Sequence, residues 1–177
     1  MTDEELVRRA RELDWLLLDV DGVLTDGRLY YGPDGEAMKV FDVRDGLALR
    51  LARHAGIKVG ILSGRSSPAL ERRARELVLD AIICGSEDKM EGFQDFLAEK
   101  RAAPARVAYV GDDLQDLAVM GRCGLAFAPA DAAEEVRAAA HRTLARPGGR
   151  GVAREAVELL LRARGEWNSI LARFAGR

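Results

Sequence analysis

Apolar residues along the chain fall into two kinds of run. Short, nearly uninterrupted blocks recur at 15–20, 57–62, 79–84, 106–110 and 125–128, and each ends in glycine or in small or acidic residues. Runs of this length read as strands buried on both faces, the habit of a parallel sheet. Between them apolar residues return at helical spacing. That spacing predicts helices over 2–13, from Asp45 to about 54, over 67–77, 88–101, a short one ending near Gly121, then 132–139, 152–164 and 166–174. Thr2 with Glu5 fits a capping box, Asp45 is placed to cap the second helix, Gly56 to end it, and Pro68 suits a first helical turn. A short strand is expected at 141–144, and strands at 28–31 and 37–43 flank Gly32-Pro33-Asp34-Gly35, a strong turn signal. Strands alternating with helices predict an α/β fold: a doubly wound, mainly parallel sheet flanked by helices, with right-handed crossovers. The expected organisation is a single domain over 1–177, with a hairpin insertion at about 28–43 and a C-terminal helical tail at about 152–177.

Composition narrows the partners more than the fold. A chain of 177 residues buries a core without disulfide or metal staples. Its formal net charge of −2 carries no electrostatic footprint for nucleic acid. Cys84 and Cys123 form no C-x-x-C and no zinc spacing, so both read as reduced thiols. No apolar run approaches the roughly 20 residues of a membrane helix, and residues 2–13 do not read as a signal peptide. The expectation is a cytoplasmic protein with neither nucleic acid nor membrane as partner.

Ligands in open α/β sheets bind at the carboxyl ends of the strands, and the polar residues gather there. Asp19 and Asp21 close the first strand and, two apart, face one side. Ser63-Gly64 follows the second, and Lys89 opens a helix after the third. Gly111-Asp112-Asp113-Leu114-Gln115-Asp116 follows the fourth. Converging carboxylates raise one another's pKa values. A hard dication relieves the conflict, and Mg²⁺ suits a few carboxylates plus phosphate oxygens. The absence of histidine and cysteine from these stretches argues against zinc. Ser63 and Gly64 at a helix start offer an anion site, and Lys89 can neutralise a phosphate. Alone, each has a plainer reading: an Asx turn, acids at a helix N-terminus, a capping serine, a solvated lysine. Their order and placement supply the specificity.

Asp19-Val-Asp-Gly-Val-Leu-Thr25, Ser63, Lys89 and Gly111-Asp-Asp-Leu-Gln-Asp116 together resemble the four ordered motifs of the haloacid dehalogenase-like (HAD) phosphohydrolases. Val40-Phe-Asp-Val-Arg-Asp-Gly46, Leu62-Ser-Gly-Arg65, Val107-Ala-Tyr-Val-Gly-Asp-Asp-Leu114 and Gly148-Gly-Arg-Gly151 resemble, within them, the 3-deoxy-D-manno-octulosonate (KDO) 8-phosphate phosphatases of lipopolysaccharide biosynthesis. The resemblance implies a Rossmann-like sheet and an aspartyl-phosphate mechanism. Asp19 is then the nucleophile, and Asp21 the general acid and later base. Mg²⁺ is held by Asp19, Asp112 and the backbone carbonyl of Asp21, while Asp113 or Asp116 holds metal-bound waters or orients Lys89. Ser63, Gly64 and Lys89 bind the transferring phosphoryl group. Arg44, Arg50, Arg65 and Arg73 are the candidates for the acid sugar phosphate, with Asp42, Val43, Asp45 and Gly46 completing the Arg44 stretch. Asp42 stands where the resemblance leads one to expect a more neutral amide in some relatives, which puts its contact with substrate in question.

The gaps between motifs are too short for a large cap domain. The resemblance therefore implies a homotetramer associating through the hairpin, whose Leu29, Tyr30, Tyr31, Met38, Val40 and Phe41 exceed what an isolated ribbon needs. The loop 148–151 is placed to close over a neighbour's site. Three other readings stay open. A phosphatase of a nine-carbon acid sugar phosphate (N-acylneuraminate 9-phosphate type) would share all the chemistry. A receiver-type phospho-acceptor would have no use for Asp21. A non-catalytic descendant would not keep every motif intact.

Overall fold

The computed structural model describes residues 1–86 and 88–176; Glu87 and Arg177, both inside the expected domain, lie outside the described residues. β1 (Trp15–Leu18) holds the middle of a six-stranded sheet. It pairs in parallel with β4 (Lys58–Ser63) on one side and β6 (Val107–Val110) on the other, Leu17 opposing Gly60 and Tyr109. β5 (Ala81–Cys84), β7 (Leu125–Ala128) and β8 (Arg142–Thr143) extend it in the order β5-β4-β1-β6-β7-β8, all parallel. This is the expected doubly wound α/β sheet.

The alternation of β1 explains why its run is wholly apolar. Leu16 and Leu18 enter the core on one face, under α1 (Asp3–Glu12), α2 (Val43–His54) and α7 (Val152–Ala163). Trp15 and Leu17 enter the other, under α4 (Lys89–Lys100) and α5 (Leu117–Met120). Trp15 meets Phe96 of α4 edge to face, ring centres 4.9 Å apart. Each fully buried leucine of this strand contributes roughly 1.5–3 kcal/mol. The remaining helices, α3 (Pro68–Leu77), α6 (Glu134–Ala139) and α8 (Trp167–Phe174), complete the alternation.

The hairpin is shorter than expected. β2 (Tyr30–Gly32) and β3 (Gly35–Met38) replace the predicted 28–31 and 37–43. Gly35, at φ +112°, lets pairing begin directly beyond Pro33-Asp34, where Gly32 opposes Gly35. Pairing stops at Met38 because Lys39 turns inward, its side chain 1% exposed. The cap of α2 also moves. Asp42, not Asp45, caps it, accepting from the Arg44 N–H at 2.7 Å. Asp45 lies one turn inside, buried, and accepts instead from the N–H groups of Gly151 (3.3 Å) and Arg154 (2.7 Å), so it caps α7 from across the core.

The 148–151 loop packs on its own chain. The Gly149 N–H donates to the Val23 carbonyl at 2.8 Å, and a Cβ on Gly148 would stand 1.9 Å from the Gly22 carbonyl oxygen. Arg164, ending α7, donates to the carbonyls of Ala10, Leu13 and Ala55, which ties the ends of α1 and α2 together. No helix among the described residues is long and apolar enough to cross a membrane.

Candidate active site

The pairing of β1 with β6 carries one residue past the strand, the Asp19 N–H donating to the Val110 carbonyl at 2.9 Å. The chain then coils tightly, the N–H groups of Leu24 and Thr25 both reaching the Val20 carbonyl at 2.9 Å. Gly22 makes the turn at φ +91°, and a Cβ there would stand 1.9 Å from Asp112 Oδ2. Glycine is thus required twice, for backbone conformation and for the approach of the second acidic loop. Asp19, 5% exposed, arrives beside Asp112 with both carboxylates at strand ends.

Lys89 sits at the first turn of α4 and is buried. Its ammonium donates to Asp116 Oδ1 at 2.6 Å and lies 2.9 Å from Asp19 Oδ1. Asp116, fully buried, is saturated by protein donors: Lys89 and the Tyr109 hydroxyl (2.6 Å) on Oδ1, the N–H groups of Asp112 (2.9 Å) and Asp113 (3.1 Å) on Oδ2. Asp116 is therefore the residue that orients Lys89, while Asp113 faces the cleft and caps the short 3₁₀ turn Leu114–Asp116.

Electrostatics follow from this crowding. Burial, then repulsion by Asp116, pushes the Asp19 carboxyl up to about 6, against the pull of Lys89. Burial, then Asp19 and Asp116, pushes Asp112 up to about 8. Burial alone would lower Lys89, but Asp19 and Asp116 outweigh it and hold the ammonium above its usual range. Tyr109 is driven well above its usual value by burial and Asp116, so it stays a phenol that donates. One ligand oxygen each from Asp19, Asp112 and Asp116 lies within 4.8 Å of the others. Asp116 is committed, so Asp19 and Asp112 are the carboxylates left for a cation, and the buried Asp112 Oδ1 has no hydrogen-bond partner. This donor set, hard oxygens carrying excess negative charge, fits a divalent metal.

Asp19, Asp21, Ser63, Gly64, Arg65, Lys89, Asp112 and Asp113 line one cleft of about 380 Å³, joined by Gly27 and Gln115. Ser63 closes β4, its hydroxyl accepting from the Arg65 N–H at 3.2 Å. Ser63-Gly64 does not stand at a helix start as expected, because Ser67 provides the cap of α3. The other predicted substrate residues lie outside this cleft. Arg44 pairs with Asp42 and lines a separate hollow with Arg146 and Arg150. Arg73 lies over the Phe41 ring and lines a third with Val43 and Lys39. Arg50 is exposed on α2, and Asp45 and Gly46 are buried within it.

Sequence reading missed Lys39 and Glu36. The Lys39 ammonium lies 2.5 Å from Asp21 Oδ1 and 3.0 Å from Glu36 Oε1, and Arg65 donates to Glu36 at 2.8 Å. Residues three apart on a strand face opposite sides, so the local pattern carried no signal for this pair. Tyr109 was missed too, although a tyrosine inside a buried strand must find a partner for its hydroxyl.

Comparison with known proteins agrees with this geometry. The family model for haloacid dehalogenase-like hydrolase matches residues 82–155. The chain is 41% identical over 162 residues to the 3-deoxy-D-manno-octulosonate 8-phosphate phosphatase KdsC of Escherichia coli K12, covering 92% of this chain and 86% of that one. The Moraxella catarrhalis enzyme of the same name, solved with magnesium ion, phosphate ion and KDO, superimposes with a TM-score of 0.93 at 34% identity, covering 97% of this chain and 98% of that one. The cobalt-bound Haemophilus influenzae phosphatase does so with a TM-score of 0.87 at 39% identity, covering 90% and 93%. With an acidic cleft at the strand ends, a buried lysine bridging two of its carboxylates, and relatives this similar over nearly the whole length, the chain belongs to the haloacid dehalogenase-like hydrolases, in the family of the 3-deoxy-D-manno-octulosonate 8-phosphate phosphatases, which are phosphoric monoester hydrolases.

Proposed function

We propose that the protein hydrolyses 3-deoxy-D-manno-octulosonate 8-phosphate through an aspartyl-phosphate on Asp19, with Mg²⁺ as its metal, and supplies the free acid sugar for lipopolysaccharide. The observation that carries the reading is the Asp19–Lys89–Asp116 chain inside a cleft that also presents Asp21, Ser63 and Asp112. Asp19 and Asp112, with the Asp21 backbone carbonyl, would hold the metal, which neutralises charge on the phosphoryl oxygens when bound.

The chain's own groups account for the rest. Lys89 keeps one Asp19 oxygen charged and meets the incoming phosphate. Ser63 and the backbone at Gly64, which line the same cleft, bind its remaining oxygens. Asp19 attacks phosphorus, and Asp21 protonates the departing sugar oxygen. Asp21 then takes a proton from the water that cleaves the aspartyl-phosphate.

Selectivity for an acid sugar is assigned to Arg65, which lines the cleft. Arg44, Arg50 and Arg73 stand apart within one chain, so their role requires a second copy. The exposed Leu29, Tyr31, Met38 and Val40 support association of hairpins into a tetramer, measurable by light scattering. The decisive experiment is phosphate release with Mg²⁺ from a panel holding eight- and nine-carbon acid sugar phosphates and simple sugar phosphates, wild type against Asp19→Asn. The expected result is preference for the eight-carbon substrate, abolished by the substitution. Preference for another phosphate overturns the substrate, and equal inertness of both proteins overturns the chemistry.

A further inference from the structure

Tyr109 stands behind the site rather than in it. Alternation along β6 turns Val107 and Tyr109 toward α4 and α5, and Tyr109 is fully buried there in one cluster with Trp15, Leu17, Phe93 and Phe96. A phenylalanine would fill the same apolar space. The hydroxyl adds a bond to Asp116 Oδ1 at 2.6 Å, and without such a partner a buried hydroxyl would destabilise the fold. Lys89 donates to the same oxygen, also at 2.6 Å. The other oxygen of Asp116 is held by the N–H groups of Asp112 and Asp113. The carboxylate is therefore pinned at both ends, and each lone pair of Oδ1 has its own donor. Of these two donors, Lys89 lines the cleft and Tyr109 does not.

We propose that Tyr109 is a positioning residue for phosphate binding: by occupying one acceptor position of Asp116 Oδ1 it confines Lys89 to the other, from which the ammonium reaches both Asp19 and the incoming phosphate. This rests on the phosphatase reading above. An ammonium has three N–H donors. One is committed to Asp116 and one meets Asp19 Oδ1 at 2.9 Å, so the third is left for a phosphoryl oxygen in the cleft. That third donor points into the cleft only while the first two keep their directions. Without the hydroxyl, both lone pairs of Oδ1 are open to Lys89. The ammonium then settles between them, closer to Asp116, and turns away from Asp19 and the cleft. No proton is transferred and no charge is lost; what changes is where the donors of Lys89 point. Asp19 and Asp112, the carboxylates left for a cation, keep their places on the strand ends.

The test measures binding directly. Isothermal titration gives the Kd of Mg²⁺ without phosphate, and the Kd of inorganic phosphate at saturating Mg²⁺. Wild type, Tyr109→Phe, Lys89→Met and the double variant are compared, with thermal unfolding alongside. Tyr109→Phe keeps the ring and is expected to weaken phosphate about 10-fold, while Mg²⁺ binds at least as tightly as in wild type. In the Lys89→Met background the same substitution should change phosphate affinity by less than about 2-fold, because the group it aims is gone. A tyrosine that only fills space and braces the fold would weaken Mg²⁺ and phosphate together, or weaken phosphate equally in both backgrounds. Either result overturns the inference, as does an unchanged phosphate affinity in Tyr109→Phe. If Lys89→Met does not fold, the contrast between phosphate and Mg²⁺ in Tyr109→Phe decides. Ester hydrolysis by the wild type is followed separately. A wild type that binds phosphate but hydrolyses no ester overturns the phosphatase reading alone, and one that binds no phosphate overturns both.

Discussion

Asp116→Asn is the sharpest test of how the site is held. The substitution keeps shape and volume but turns one acceptor oxygen into a donor and removes a charge. In either amide orientation the NH₂ faces donors. It opposes Lys89 and the Tyr109 hydroxyl, or the N–H groups of Asp112 and Asp113. Hydrogen bonds to charged groups contribute about 1.5–3 kcal/mol, and a buried donor left without a partner costs about 1–3 kcal/mol more. Breaking one member of a buried ion pair falls in the same window, about 3–5 kcal/mol. The expected destabilisation is therefore about 4 kcal/mol, or roughly 12 °C in Tm for a domain of this size. Urea unfolding with the slope checked against wild type measures it. Activity should fall by more than about 100-fold, because Lys89 loses the partner that aims it. The fall would not come from protonation of Asp19: Asp116 holds the Asp19 carboxyl up, so its neutralisation eases Asp19 ionisation. A variant within about 1 kcal/mol of wild type that retains half its activity would refute the assignment of Asp116 as the organiser of Lys89.

Metal and pH should interact through Asp19 and Asp112, held up to about 6 and about 8 against an ordinary value near 3.8. Because their folded-state values are raised, their contribution to stability is complete below about pH 4 and is lost as pH rises through 6 and then 8. Metal-free protein in EDTA should lose unfolding free energy from pH 5 to pH 9, and Mg²⁺ should restore more of it at pH 8 than at pH 5; a profile indifferent to pH and Mg²⁺ contradicts this. Gly148→Ala places a Cβ against the Gly22 carbonyl and should cost about 2 kcal/mol and disturb the Asp21 turn, read by thermal unfolding and phosphate release together. Asp45→Ala removes the buried cap of α7 and should cost about 2 kcal/mol, with KM unchanged in the monomer if Asp45 has no contact with substrate.

The strands were legible because a parallel sheet buries both faces, and continuous apolar runs such as Trp15–Leu18 and Val107–Val110 leave no other state available. The acidic turns were legible for a related reason, since Asp19 and Asp112 follow those runs directly and a strand end is a ligand site. What local pattern hid was set by distant partners. Asp45 carries the residue type and position of a helix cap, yet the helix it caps begins at Val152. Lys39 reads as a solvated strand lysine because its two acids, Asp21 and Glu36, meet it only after the hairpin folds onto the turn. Ser63 resembled a capping serine until Ser67 took that role. The 148–151 loop, rich in glycine, did not disclose its intrachain packing: Gly148 and Gly149 serve close approach to Gly22 and Thr25, residues more than a hundred positions earlier.

Arg164 sets an order on how the protein becomes active as it is synthesised. Its guanidinium closes on carbonyls of Ala10, Leu13 and Ala55, groups that leave the ribosome more than a hundred residues earlier. Until α7 emerges, α1 and α2 expose the apolar faces that it covers, and the 148–149 glycines are not yet in place behind the Asp21 turn. Asp19 is among the first residues made, and the segments that pack around its turn are among the last. A nascent chain stalled before residue 148 would carry every acid and the lysine of the site without the clasp that holds them, and it would depend on chaperones to stay soluble until Arg164 arrives.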